Sequence, residues 1–92
     1  MSVNVWVVFG SSGEYEDYAE WAVCAYQDKD RALDHARLAK EDSVAIAKEK
    51  GGRYAAPKRK NLYDPDMYMD GDCTDYGIRA IPLLDGIPGI DG

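Results

Sequence analysis

The stretch Val3-Asn4-Val5-Trp6-Val7-Val8-Phe9 decides the fold. It is short and is rich in β-branched and aromatic residues, which predicts a strand, β1. Alternate residues of a strand point to opposite faces, and in this stretch both faces carry apolar side chains. A strand that is apolar on both faces is typical of the middle of a sheet. We therefore expect β1 to be flanked by strands on both sides.

A second strand, β2, is predicted for Trp21–Tyr26, another short apolar run. Gly10-Ser11-Ser12-Gly13 is expected to end β1, because glycine and serine cluster in loops. The acidic and aromatic residues that follow would form the loop of a hairpin between β1 and β2. Within this hairpin we expect Trp6 and Trp21 to be cross-strand partners in the core.

A helix is predicted from about Lys29 to Lys50. Asp28 provides an N-cap, and Gly51 or Gly52 provides a left-handed C-terminal cap. His35 lies among charged residues and is expected to face solvent, and Leu38 lies off the apolar stripe as an exposed residue. The stripe expected to face the sheet consists of Ala32, Leu33, Ala36, Ala39, Ser43, Ile46 and Ala47.

A third strand, β3, is predicted for Tyr76–Ile81, and Pro82 restricts it to an edge position or ends it. If β1 runs up and β2 down, the helix returns the chain to the top, so β3 runs antiparallel to β1. The expected fold is α+β: a two-layer ββαβ unit whose three-stranded antiparallel sheet has the order β2-β1-β3 and packs on one helix. Residues 1–84 would form the single domain and 85–92 a flexible C-terminal tail.

The chain is acidic: 11 Lys and Arg face 17 Asp and Glu, a formal net charge of −6. This balance argues against sequence-independent nucleic-acid binding and against docking on an anionic membrane, and it favours a basic partner or solubility alone. No stretch predicts a membrane span or a secretory signal. Cys24 and Cys73 are too few for a disulfide framework, so we expect a cytoplasmic protein.

The sequence predicts no enzymatic activity, no cofactor and no metal site. His35 has no nucleophile at a suggestive spacing, and Gly10-Ser11-Ser12-Gly13 lacks the lysine of a phosphate-binding loop. Asp64-x-Asp66 and Asp70-Gly71-Asp72 do not meet the EF-hand pattern. Oxygen-rich loops can still bind calcium adventitiously, so a metal-dependent or hydrolytic activity at this aspartate cluster stays open as a third hypothesis.

The predicted topology brings the β1–β2 loop and the segment before β3 to the same end of the sheet. We call the charged and aromatic residues of these two segments the acidic rim. Its carboxylates are Glu14, Glu16, Asp17, Glu20, Asp64, Asp66, Asp70, Asp72 and Asp75, and its tyrosines are Tyr15, Tyr18, Tyr63, Tyr68 and Tyr76. Two interpretations stay open: the basic run Lys58-Arg59-Lys60 neutralises the acidic rim internally, or the acidic rim binds a basic surface of another protein.

The residues Val5-Trp6-Val7-Val8-Phe9, followed by Gly13-Glu14-Tyr15-Glu16-Asp17-Tyr18, resemble the opening of small proteins found in phages and prophages. The resemblance covers roughly the first 50 residues. It implies a phage context, and therefore an inhibitor of host defence such as an anti-CRISPR protein, acting in the host-cell cytoplasm. Acidic proteins of this kind use carboxylates in place of phosphates, as DNA mimics.

The leading hypothesis is therefore an inhibitor that occupies the nucleic-acid-binding surface of a host nuclease or CRISPR effector, without binding nucleic acid itself. The alternative is an accessory module that forms a homodimer through an edge strand. In the first case, recognition would come from Glu14, Tyr15, Glu16, Asp17 and Tyr18, helped by Asp70, Asp72 and Asp75.

Overall fold

The computed structural model describes residues 3–13, 18–51, 55–67, 74–84 and 86–90. Its elements are β1 (Val3–Ser12), β2 (Ala19–Tyr26), the helix α1 (Lys29–Glu49) and β3 (Asp75–Leu83). β1 pairs with both other strands in antiparallel fashion, and the sheet order is β2-β1-β3. The α+β class, the strand order and the central position of β1 are thus confirmed.

β1 does not end at Gly10, as the sequence predicted, but continues through Ser12. The glycine is tolerated inside the strand because the indole ring of Trp21 packs directly on its backbone. A Cβ atom at Gly10 would lie 2.7 Å from two carbons of that ring, well inside van der Waals contact. The chain leaves the strand at Gly13, whose φ of 88° suits glycine.

The pairing of β1 with β2 contains a bulge, and the bulge reorients Trp21. The register runs Val8 opposite Cys24 and then Phe9 opposite Ala22, which leaves Val23 as the extra residue. Trp21 consequently pairs with Gly10, on the same face as Cys24. The expectation that Trp6 and Trp21 are cross-strand partners is wrong, because Trp6 pairs with Tyr26 and Ala80.

The helix begins and ends close to the predicted positions. The Asp28 side chain caps its N-terminus by accepting a hydrogen bond from the Asp30 amide at 2.8 Å. Gly51 follows the helix with a φ of 79°, as a left-handed cap requires. Its buried residues are Ala32, Ala36, Ala39, Ser43 and Ile46.

Two leucines of the helix depart from the predicted stripe. Leu33 was expected to face the sheet, but its side chain is 46% exposed. Leu38 was expected to be exposed, but it is half-buried. Because all five buried residues of the helix belong to the predicted stripe, the stripe is confirmed, and only its boundary shifts from the Leu33 side to the Leu38 side.

The core lies between this stripe and the even-numbered side chains of β1. Val8, Ala32 and Ala36 form its buried centre, and Trp6 and Ile78 are among the half-buried residues packed against it. β3 includes Pro82, which the edge position tolerates because alternate N–H groups of an edge strand face outward. In the predicted tail, residues 87–90 form a turn closed by a hydrogen bond from the Ile90 amide to the Ile87 carbonyl.

The contact between Gly10 and Trp21 gives a stability prediction. Gly10→Ala forces a methyl group into the indole ring, so we expect the free energy of unfolding to fall by about 1–3 kcal/mol. Urea denaturation followed by tryptophan fluorescence measures the change. Ser11→Ala at the neighbouring half-buried position is the control and should change stability by less than about 0.5 kcal/mol. Equal stability of Gly10→Ala and wild type would contradict the close packing.

Candidate functional site

The strand register places both segments of the acidic rim at one end of the sheet. Ser12 pairs with Ala19 where the β1–β2 loop begins and ends. Ser11 pairs with Asp75, the first residue of β3, on the other side of β1. The β1–β2 loop and the segment before β3 therefore both meet the sheet at the Ser12 end of β1, as predicted from the topology.

Only part of the predicted binding site lies within the described residues. Tyr18 and Asp75 are described, and both side chains are exposed. The other six predicted partner-binding residues lie outside the described residues: Glu14, Tyr15, Glu16, Asp17, Asp70 and Asp72.

A chain of polar contacts crosses the sheet from Tyr18 to Phe9. The Tyr18 hydroxyl donates to Glu20 Oε2 at 2.9 Å, and Arg79 Nη2 donates to Glu20 Oε1 at 3.2 Å. The Arg79 guanidinium also lies 4.7 Å from the centre of the Phe9 ring, at cation–π distance. Glu20 is thus held by β3 across β1 and is neutralised within the chain.

Asp75 faces a lysine of the helix. Lys40 Nζ lies 3.8 Å from Asp75 Oδ1 and donates a hydrogen bond to the Thr74 carbonyl at 2.7 Å. The lysine therefore fixes the start of β3 to the helix. Because both charged side chains are well exposed, the ion pair itself contributes little to stability.

Asp64 was expected on the surface of the acidic rim, but it is buried, with 2% of its surface exposed. Its Oδ2 accepts two hydrogen bonds, from Trp21 Nε1 at 2.8 Å and from the Tyr76 hydroxyl at 2.9 Å. The two donors come from β2 and β3, the strands on either side of β1. A buried acceptor was needed because both aromatic side chains carry polar groups that point toward the helix face. Because the bulge that turns Trp21 to this face is not marked in the sequence, no local pattern signals the burial of Asp64.

Two titratable groups near Asp64 are held in their protonated forms. Burial, followed by the hydrogen bond to Asp64 and its charge, raises the pKa of the Tyr76 hydroxyl far above its ordinary value of 10.0. Burial and, to a smaller extent, Asp64 also raise the pKa of the Cys24 thiol above 9.0. Neither group is an activated base or nucleophile at neutral pH.

His35 was expected to face solvent, but it is half-buried and makes hydrogen bonds through both ring nitrogens. Nε2 lies 2.7 Å from the Tyr63 carbonyl oxygen, and Nδ1 lies 2.8 Å from the Tyr26 hydroxyl. A carbonyl oxygen can only accept, so this contact assigns a proton to Nε2. The histidine joins the helix to β2 and to the turn before Asp64, which is a structural role.

The chain around Asp64 is fixed to the helix by Asn61. The Asn61 amide nitrogen donates to the Ala39 carbonyl at 3.0 Å, and its Oδ1 accepts from the Tyr63 amide at 2.8 Å. Asn61 is 1% exposed, so these bonds satisfy both ends of a buried amide. An isolated β-bridge between Asn61 and Asp64 completes the turn.

Arg59 binds helix carboxylates and does not neutralise the acidic rim through any ion pair among the described residues. Its Nη1 and Nη2 donate to the two oxygens of Asp42 at 2.9 and 2.7 Å, and its Nε donates to Glu49 Oε2 at 3.0 Å. Asp42 Oδ2 also accepts from the Leu62 amide at 2.9 Å. The hydrogen bond from Arg59 is the main cause that lowers the pKa of Asp42 below its ordinary value of 3.8. Lys58 and Lys60 are exposed.

Two buried hydroxyls at the same end of the sheet have no partner within the described part of the chain. Ser12 Oγ and Thr74 Oγ1 belong to residues that are 1% and 4% exposed. The described residues contain no group of three or more His, Cys, Asp or Glu side chains that could hold a metal ion. Among them, no helix combines the length and the apolar character that a membrane span needs.

Comparison with known proteins adds no relative. No protein family, no curated protein and no solved structure matches this chain. The resemblance of the first 50 residues to phage proteins therefore stays a prediction.

The hydrogen bonds of Asp64 give a second stability prediction. Asp64→Ala leaves the Trp21 and Tyr76 donors buried without an acceptor, so we expect the free energy of unfolding to fall by about 2–4 kcal/mol. Asp64→Asn keeps one carbonyl oxygen in place and should lose less than half of that. Urea denaturation of both variants against wild type tests this. Equal losses in the two variants would contradict the acceptor role.

The lowered pKa of Asp42 gives a pH prediction. When the pKa of a carboxyl group is lower in the folded than in the unfolded state, its ionised form stabilises the fold at every pH above the unfolded-state pKa. This stabilisation is lost as the pH falls through the folded-state pKa. The stability difference between wild type and Asp42→Asn should therefore be fully present above about pH 5 and shrink as the pH falls through 3.8 and lower. Denaturant titrations across this range measure it, with Asp34→Asn on the exposed helix face as the control for removing one carboxylate. A difference that does not vary with pH would contradict the assignment.

Proposed function

We propose that this protein is an acidic binding protein that covers a basic, nucleic-acid-binding surface of another protein. The observation that carries the proposal is the register at the Ser12 end of β1, where the β1–β2 loop and the segment before β3 meet the sheet. The acidic rim holds nine of the 17 carboxylates of a chain whose net charge is −6. Concentrated negative charge steers association with a basic partner.

The described part of the acidic rim narrows the set of residues available for binding. Asp64 is buried, Glu20 is paired with Arg79, and Asp75 is paired with Lys40. The proposal then assigns the charge offered to a partner to the exposed Asp66 and to the carboxylates of residues 14–17 and 70–72. The exposed ring of Tyr18, whose side chain is 54% accessible, adds rigid aromatic contact area beside residues 14–17.

The proposal is one of binding without catalysis. Tyr76 and Cys24 hold their protons at neutral pH because of their raised pKa values, and His35 is engaged through both ring nitrogens. These groups stabilise the end of the sheet and leave the charged loops as the surface for contact. The specific form that the phage resemblance implies is an inhibitor of a host defence nuclease or CRISPR effector.

The test is capture of partners from a bacterial lysate by the immobilised protein, at low and at moderate salt. The double variant Glu16→Lys/Asp17→Lys reverses charge in the β1–β2 loop, and Asp34→Lys/Glu41→Lys makes the same change in net charge on the exposed helix face. We expect wild type and the helix variant to capture a nucleic-acid-binding protein and the loop variant to bind it at least about tenfold more weakly, because rim charges set the association rate. Raised salt should weaken the complex.

Displacement by duplex DNA separates occupation of a nucleic-acid-binding surface from other binding. We expect excess duplex to compete with this protein for its partner. The proposal would be contradicted if the partner stayed bound in excess duplex DNA or if the loop variant bound it as tightly as wild type. It would also be contradicted if no partner were captured at either salt concentration.

A further inference from the structure

The helix covers one face of the sheet, and the other face is largely apolar, with one ion pair between Glu20 and Arg79. Even-numbered residues of β1 face the helix, as Val8 does in the core, so the odd-numbered residues project to the opposite side. The register brings Ile81 beside Val5 and Leu83 beside Val3. We define the open face by Val3, Val5, Val7, Phe9, Ile81 and Leu83.

The open face is accessible to a partner. Val3, Ile81 and Leu83 are 48%, 41% and 51% exposed, although each is a large aliphatic residue in a strand. A shallow groove of about 200 Å³ lies in its Phe9 half, and its lining consists of Val7, Phe9, Trp21, Ala22 and Ile81 together with the paired Glu20 and Arg79. The shortest dimension of the molecule is 17 Å, the thickness of one sheet and one helix.

The open face is neutral on a chain that carries a net charge of −6. Its flanking charges, Glu20 and Arg79, pair with each other at 3.2 Å. The Val3–Leu83 pair lies at the opposite end of β1 from Ser12, about 30 Å from the acidic rim at the rise of a strand. The Val3–Leu83 end of the open face is therefore distant from the proposed binding site, whereas its Phe9 end adjoins Glu20, whose charge is paired with that of Arg79. The chemistry of the open face suits an apolar surface without net charge.

The two flanks of the open face differ in height. β2 contributes the small, exposed Ala22 and Ala25, which pair with Phe9 and Val7. β3 contributes the larger Arg79 and Ile81 on the other side of β1. A two-fold axis parallel to β1 would lay the high flank of one copy over the low flank of the other, so the surface is complementary to itself.

We propose that the open face is a dimerisation surface on which a second copy of this chain packs sheet against sheet. The product is a four-layer α/β/β/α assembly with the two sheets about 10 Å apart. It closes by two-fold symmetry and leaves the edges of β2 and β3 unpaired. Because no edge strand is paired, this interface differs from a dimer formed through an edge strand.

The size of the open face sets the strength of the dimer. β1 and β3 share nine paired positions and β2 adds seven, which at about 3.3 Å per residue and about 4.8 Å per strand gives a patch of roughly 400 Å² per copy. This is about half of what each partner contributes to a standard stable interface. The dimer should therefore be weak and dependent on concentration, with a Kd in the micromolar range.

Sedimentation equilibrium of the full chain over a wide range of concentrations tests the proposal. We expect a monomer–dimer equilibrium for wild type. Ile81→Lys and Ala25→Lys, on the two flanks, should each raise the Kd at least about tenfold, because a lysine would have to be buried in the interface. Leu62→Lys, at a loop residue that is 76% exposed, makes the same change in charge away from the open face and should leave the Kd unchanged. Circular dichroism checks that each variant is folded. Because the two flank variants are independent, one of them still tests the interface if the other misfolds.

Salt dependence distinguishes this interface from the acidic binding site. Two chains of net charge −6 repel each other, so added salt should tighten a dimer held by aliphatic contacts, whereas it should weaken the complex with a basic partner. A monomer at all concentrations would overturn the proposal. A dimer that persists in both folded flank variants would overturn it as well, because another surface would then form the contact.

Discussion

The buried carboxyl group of Asp64 is the constraint on which the structure at the Ser12 end of the sheet depends. It accepts hydrogen bonds from Trp21 on β2 and Tyr76 on β3, so one buried oxygen ties both edge strands to the turn before β3. Asn61 fixes the same turn to the helix through the Ala39 carbonyl, and His35 fixes it through the Tyr63 carbonyl. A small chain with a core of valine, isoleucine and alanine gains from such buried polar contacts a defined position for the turn at residues 61–64.

The same contacts separate structural charge from charge that is available for binding. Asp64 is buried, and the helix residues Asp42 and Glu49 form ion pairs with Arg59. Glu20 is paired with Arg79 on the flanks of the open face, which leaves that face apolar and without net charge. The molecule thus carries two surfaces of different chemistry, the acidic rim at the Ser12 end of β1 and the open face of the sheet, and salt should affect contacts through them in opposite directions.

The fold was predictable because local patterns and connection lengths act together. The apolar residues on both faces of β1 place it in the centre, and Asp28 and Gly51 mark the ends of the helix by cap chemistry that is independent of the rest of the chain. The candidate site was less predictable. The acidic segments were placed at the correct end of the sheet, but Asp64 and His35 were assigned to the surface, since turn and helix patterns do not report what packs against a polar side chain.

The sequence by itself determined the α+β class, the central strand and the helix, because strand and helix periodicity and cap residues are local properties. Only the tertiary structure decided the bulge at Val23, which turns Trp21 onto the helix face, where Gly10 makes room for its ring and Asp64 accepts its N–H. Val23 and Cys24 are both apolar, so neither residue marks the bulge in the sequence. The bulge and the burial of Asp64 are joint consequences of packing between residues more than 40 positions apart, and no local pattern encodes a contact of that range.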